Sequence, residues 1–494
     1  MRVELQPPCG VALEAARGRN LGSVLIIVLW IAFGLVSLAL YFADSMNFEM
    51  HAADNRAAGM SAEQAIEGAA RYVNLLLNTQ IAYGSNGFIL DPTTYQNAAV
   101  PVGDAHFWLI GRDTNPPVGP GRLAFGLVDE ASKLSLNQAS SNQLIWLPRL
   151  LPTAAQAILD WRSTNGGATA SYYSMLQPPY LCKGAPFETV AELRLVFGVN
   201  MDVMVGEDVN LNGVLDPGEN DDNGNRMLDP GLLEYVTVYS REPNSSGAAR
   251  VNISSLGSSS VGPLRSLLST NFGTARANQI LANLGLGGVA GGGGATGGGG
   301  TTSGRSGQGN GGRSSGTGGG AGGASMTVTF RSPLAFYVRS KMTALEFGQI
   351  FTNLAVTTNT FIDGRVNVNT ASATVLACLL NGDLAAAQQL VSYRLANANV
   401  LTSIAWVADA LGQGYSADLQ ALEAGDYITT QSYQFSADIA AVGPFGRGYR
   451  RVKFIFDTSS GTSQIIYRQD LSHLGWALGQ DVRDQWVLRK GITS

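Results

Sequence analysis

"SVLIIVLWIAFGLVSLALYFA", residues 23–43, carries no charged side chain in 21 positions. At about 1.5 Å per residue, a helix of this length runs roughly 32 Å, enough to cross a bilayer. The preceding "EAARGRNLG" contributes Arg17 and Arg19. By the positive-inside rule these keep the N-terminus cytoplasmic and place the chain from Asp44 onward outside the cytoplasm. A secretory signal would be shorter and end in a small-x-small site. Here "YFADSMNFEMHAADN" continues at helical spacing instead. The stretch therefore predicts a retained single-span anchor, and the rest of the chain is a head carried on that rod.

The head is large. The 494 residues are 45% hydrophobic and 14% charged, enough for several cores, and the net charge of −5 comes with no basic run. Duplex nucleic-acid binders need a basic face, so that class is disfavoured. Of the three cysteines, Cys9 precedes the anchor, while Cys182 and Cys378 read as two separate thiols. Residues 61–83, "SAEQAIEGAARYVNLLLNTQIAY", repeat apolar positions at helical spacing and prolong the anchor as an amphipathic helix. "AHFWLIGR" and "GRLAFGLVDE" read as a hairpin across "DTNPPVGP", and "SYQFSADIAAVG", "GYRRVKFIFDT" and "TSQIIYRQDL" as three closing strands. One long helix followed by an antiparallel sheet is an α+β head, with a largely helical section inserted between its strands.

That insertion repeats itself. "NQASSNQLIWLPRLLPTAAQAILDWR" (137–162) aligns without a gap on "NTASATVLACLLNGDLAAAQQLVSYR" (369–394), and nine of 26 paired positions are identical, from Asn137/Asn369 to Arg162/Arg394. Each copy follows a strand-like lead, "KLSL" or "RVNV", and fits helix, turn, helix, with the asparagine as expected cap and the arginine as a helix-end or surface group. A worn third copy begins at "ARVNISSL" (249–256). From Gly285 to Ser325 more than half the residues are glycine, a composition unable to bury a core and expected to be disordered. The duplicated units resemble helix-hairpin-helix modules of competence DNA receptors. Their hairpins, "LPRLLPTAA" and "LLNGDLAAA", lack the Gly-x-Gly nest that holds phosphate, so the scaffold reads as structural.

"DVNLNGVLDPGE" (208–219) has the grammar of a calcium loop. Asp208, Asn210, Asn212 and Asp216 supply side-chain oxygens, Val214 a backbone carbonyl, and Glu219 closes the loop. Gly213 permits the sharp turn. A second, weaker loop follows at Asp221, Asn223, Asn225, Met227 and Asp229. Arg226 stands there in place of glycine and Leu232 in place of the closing glutamate, with Glu234 two residues too late, so a carboxylate borrowed from elsewhere is one way to complete it. Without a divalent ion, six carboxylates would crowd into 22 residues, so both loops read as folding staples. No catalytic motif appears: His51, His106 and His473 stand alone, and no nucleophile elbow, phosphate loop or zinc signature occurs.

A short leader ending in glycine before an apolar helix resembles the type IV prepilin signal, with cleavage between Gly22 and Ser23. Ile27 stands at the fifth mature position, where that class usually has glutamate. Together with "GRLAFGLVDEASKLSLNQAS", "PFETVAELRLVFGV" and "GRVNVNTASATVLA", this resembles the general secretion pathway protein K family, the large minor pseudopilin of type II secretion. The resemblance implies an α+β pseudopilin head with a large inserted α-helical domain and bound Ca2+, one ion in the first loop and a second in the weaker one. It implies a non-enzymatic subunit at the pseudopilus tip that helps initiate assembly. Its implied partners are the I and J minor pseudopilins, other pseudopilins, inner-membrane assembly components and the prepilin peptidase, with no nucleic acid. The chain would be a single-pass protein of the bacterial inner membrane with its bulk in the periplasm. The corresponding divisions are leader 1–22, span 23–43, pseudopilin helix and first strands 44–130, helical insertion 131–284 (first repeat 133–199), glycine-rich linker 285–325, remaining insertion 326–425 (second repeat 365–412) and closing strands 426–494. The long leader, the glycine tract and the imperfect second loop depart from the family. A type IV pilus minor subunit acting as an adhesin, or a DNA-uptake receptor, are the rival readings.

Overall fold

The computed structural model describes residues 21–83, 90–113, 122–245, 250–257, 260–287 and 327–488. Most of the expected leader and of the glycine-rich tract lies outside them. Leu21–Ala82 forms one helix of 62 residues, with Gly22 and Ser23 in its first turn. Among the described residues it is the one helix long and apolar enough to cross a membrane. Residues 24–57 are exposed along the rod. From Ala58 the helix lies on its own head. Ala62, Ala65, Ile66, Ala69, Val73 and Leu77, three or four apart, bury one stripe against Phe107, Leu109, Phe435, Ile439, Phe454 and Phe456 of a sheet. Small side chains on the helix allow the close approach. Gly448 shows how close: at φ +69, a Cβ there would lie 2.4 Å from the Ala58 carbonyl carbon.

The sheet is antiparallel, in the order Val100–Val102, Ala105–Ile110, Gln434–Val442, Arg450–Asp457, Gln464–Asp470. Val128–Asp129 also pairs with Gln434–Val442. The three closing strands thus form where their β-branched and aromatic runs predict. The expected hairpin between 105–112 and 121–130 shrinks to one bridge, Ile110 to Phe125. Both segments line up along one edge of Gln434–Val442, which is buried at all nine positions and offers the longer ladder. The hairpin partner of Ala105–Ile110 is instead Val100–Val102. Across the sheet from the helix, Ala477 and Leu478 cover Trp108, Ile110, Ala440 and Val442.

The insertion leaves the sheet after Asp129 and returns at Gln434. It is not purely helical. Three two-residue parallel ladders organise it: Leu134–Ser135 with Val236–Thr237, Val251–Asn252 with Leu354–Ala355, and Val366–Asn367 with Ile428–Thr429. Parallel pairs require long crossovers, and helices supply them here. Each ladder is closed by an equivalent backbone bond: Leu136 N–H to Thr237 O (2.9 Å), Ile253 N–H to Ala355 O (2.8 Å) and Val368 N–H to Thr429 O (3.0 Å). The third lead therefore starts a unit of the same plan, with the helix Gly262–Asn283 broken at Gly273. A basic residue precedes every lead and meets an acid: Lys133 with Glu130, Arg250 with Glu242, Arg365 with Glu242 and Asp426.

The two copies recognised in the sequence fold alike, as Ser141–Leu144 with Pro152–Arg162 and Ala373–Leu379 with Leu384–Ala396. The asparagines do not cap the first helices. Ser140 and Ser372 stand at those positions. Asn137 instead exchanges two hydrogen bonds with the Phe187 backbone, and Asn369 binds Leu401 O and the Trp406 indole. Each asparagine ties its unit to the segment that follows. The arginines are not surface groups either. Arg162 donates to Leu136 O and Ala139 O, and Arg394 to the matching Val368 O and Ala371 O. Each guanidinium brackets its own lead to its second helix. Cys182 and Cys378 are both free.

Candidate cation loops

Residues 207–229 sit where the insertion meets the sheet. The helix Met201–Val205 delivers the chain to Gly206, which bridges antiparallel to Pro230. Two loops therefore begin and end at one point. In the first, the buried Asp208 carboxylate accepts the N–H groups of Asn212 (2.9 Å) and Gly213 (2.8 Å). Gly213 takes φ +84, the left-handed turn that its position requires. The amides of Asn210 and Asn212 both donate to one oxygen of Asp216. The Asn212 side chain accepts from Val214 N–H. Glu219 closes the loop, accepting from Asn210 N–H (3.1 Å) and Asp216 N–H (3.0 Å).

The second loop repeats this pattern thirteen residues later. Asp221 accepts from Asn225 and Arg226, Asn223 and Asn225 both donate to Asp229, and Asn225 accepts from Met227 N–H. Arg226 adopts φ +61 at the position held by glycine in the first loop, a strained conformation for a side-chain-bearing residue. The missing closing glutamate is replaced by Glu207. Its two oxygens accept Asp222 N–H and Asp229 N–H, each at 2.8 Å, as Glu219 does for the first loop. Glu207 is 3% exposed, and one carboxylate oxygen each from Glu207, Asp222 and Asp229 lie within 4.8 Å of one another. Sequence order hides this residue, because it stands before the first loop and closes the second. Only the gap at Leu232 signalled that a carboxylate had to come from elsewhere.

The donor set suits a hard divalent cation. The candidate ligand atoms are oxygens, the first loop supplies three acids, Asp208, Asp216 and Glu219, and neither loop contains a thiol or imidazole. Burial pushes the Asp208 carboxyl up to about 6, against the pull of Arg112 and two backbone N–H groups. Burial also raises Glu219. The side-chain amide oxygen of Asn210 is buried and has no hydrogen-bond partner. A cation in the first loop would serve that oxygen and favour the ionised acids together. Asp208, Asn210, Asn212, Asp216 and Glu219, with the Val214 carbonyl, would hold it. In the second loop the residues that would hold a cation are Asp221, Asn223, Asn225, Asp229 and Glu207, with the Met227 carbonyl.

The first loop is also gripped from outside. Arg451, 0% exposed, binds Asp438 through two nitrogens and donates to Asn210 O and Leu211 O. Arg112, paired with Glu234 at 2.7 Å, donates to Leu211 O as well. Asn210 and Asn212 reach Trp476 O and Ala477 O, each at 3.3 Å. The second loop is met by Arg149, 2.6 Å from Asp222 and 3.1 Å from Asp202. Arg149 occupies a hairpin tip at φ +61, and its repeat equivalent Asn381 matches it at φ +53. These tips do not form an anion nest: the Arg149 guanidinium is engaged by acids, and Asp383 caps the following helix through Ala386 N–H.

A family model described as type II secretion system (T2SS), protein K, first domain, matches residues 132–205. A second model, of the same description, matches residues 366–424. The matched spans cover the first and last units of the insertion, and the first ends just short of the loops. No curated protein matches the chain in sequence. Among solved structures, the GspK-GspI-GspJ complex from the enterotoxigenic Escherichia coli type 2 secretion system aligns over 83% of this chain and 96% of that chain, at 10% identity and a TM-score of 0.35.

Proposed function

We propose, from the premise that this chain belongs to the type II secretion system protein K family, that it is a non-enzymatic minor pseudopilin occupying the pseudopilus tip. One observation carries the reading. Both segments matched by the family lie inside an insertion between Asp129 and Gln434 of a sheet packed on a membrane-length helix. A rod of this kind packs among other rods, whereas a head widened by three helical units leaves no room for a subunit stacked above it. The chain would then cap a filament and start its assembly, held in the inner membrane with its head in the periplasm and cut by prepilin peptidase between Gly22 and Ser23. Calcium in the two loops would stiffen the head.

The I and J minor pseudopilins are the proposed partners. The apolar stripe from Ala62 to Leu77 is occupied by the chain's own sheet, so contact falls to the outer helix face, where Met60, Leu75 and Tyr83 are exposed. Full-length protein in detergent, mixed with purified I and J pseudopilins, should co-elute with both on size exclusion. Leu75→Glu should weaken that association. Elution of the wild-type chain alone would sink the reading.

A further inference from the structure

The first loop holds more than a cation. The amide nitrogens of Asn210 and Asn212 bind the backbone of Trp476 and Ala477, 266 and 265 positions away in the chain. The same two nitrogens converge on one oxygen of Asp216, while the Asn210 side-chain oxygen is buried without a partner and the Asn212 one accepts from Val214 N–H. A side-chain amide is planar, so fixing its oxygen fixes where its nitrogen points. Arg451 binds the main chain of two adjoining loop residues, Asn210 and Leu211, to Asp438 in the longest strand. The segment so held is the one whose Ala477 and Leu478 seal the far face of the sheet over Trp108, Ile110 and Val442. Trp486 follows, edge-on to Trp108. The second loop differs: the bonds described for it stay within the insertion, at Glu207, Arg149 and Asp202.

We infer that the first loop is a latch, and that a divalent cation bound in it secures the C-terminal segment Trp476–Leu478 to the sheet and the insertion to both. This rests on the calcium reading given above. With the ion bound, the Asp216 carboxylate and the Asn210 oxygen are fixed, and the two amides docked on that carboxylate hold Trp476 and Ala477. With the ion removed, that carboxylate and that oxygen lose their common anchor and the segment loosens. Emptying the second loop leaves it in place.

Hydrogen exchange on the full chain in detergent micelles, with calcium and with chelator, tests this. Calorimetry run in parallel reports whether calcium binds. Chelation should speed exchange about tenfold or more in peptides covering 208–219 and also in those covering 474–482. Glu219→Gln should reproduce both changes in the presence of calcium. Glu207→Gln should leave 474–482 protected. Calcium uptake that protects 208–219 while 474–482 exchanges equally with and without the ion would overturn the latch and leave the calcium reading standing. Calorimetry showing no uptake would remove both.

Discussion

The two loops share a hydrogen-bond plan offset by thirteen residues, yet they are built into the molecule differently. The first is closed by its own Glu219 and set on the sheet by Arg451, Arg112 and the C-terminal segment. The second is closed by Glu207, supported by Arg149 through the exposed Asp222, and carries a strained Arg226 at its turn. The difference separates a joint from a staple. One loop lies where three parts of the chain meet, and the other stiffens only the part that contains it.

The largest effect should come from cutting the joint. Arg451→Met strands Asp438 beneath the sheet and leaves the Asn210 main-chain carbonyl unserved, Leu211 O keeping Arg112. Loss of one member of a buried pair costs about 3–5 kcal/mol, read by denaturant unfolding in micelles. Arg149→Met at the second loop should cost under about 1 kcal/mol, because its partner Asp222 is 41% exposed. Equal losses would erase the distinction. Next in size, Arg394→Met, which removes a buried bracket serving two carbonyls, should destabilise by about 2–3 kcal/mol. Arg162→Met, at a more exposed copy of the bracket, should cost less. Ser372→Ala should then lose about 1 kcal/mol of helix cap.

A separate prediction is a pH dependence at the other edge of the joint. Burial would push the Glu130 carboxyl up, but Lys133 at 3.4 Å and Lys453 outweigh it and hold it down at about 2. The unfolded value is 4.5. A carboxyl lowered on folding stabilises fully above its unfolded value and loses that contribution as pH falls toward its folded one. Stability should therefore drop between about pH 4.5 and 2, and Glu130→Gln should flatten that part of the profile.

Much of this was legible in the chain. Charge-free length disclosed the rod, alternation disclosed the closing strands, and oxygen spacing disclosed both loops. Nine identities exposed the repeat, including arginines whose bracketing role shows only in three dimensions. The parallel ladders were not readable, because two-residue strands such as Leu134–Ser135 and Val236–Thr237 leave no periodic trace and pair about a hundred residues apart. Asn137 and Asn369 misled because a cap signal three residues before the true serine caps is locally indistinguishable from one. Glu207 and Arg451 were missed for a related reason: each serves a loop from outside its motif, and motif grammar runs only along the chain.

Calcium calorimetry on the full chain in micelles, comparing the wild type with Glu219→Gln and Glu207→Gln, puts the two-loop architecture to its most direct trial. Two sites in the wild type, with each substitution removing a different one, are the predicted outcome. Two intact sites in Glu207→Gln would contradict it.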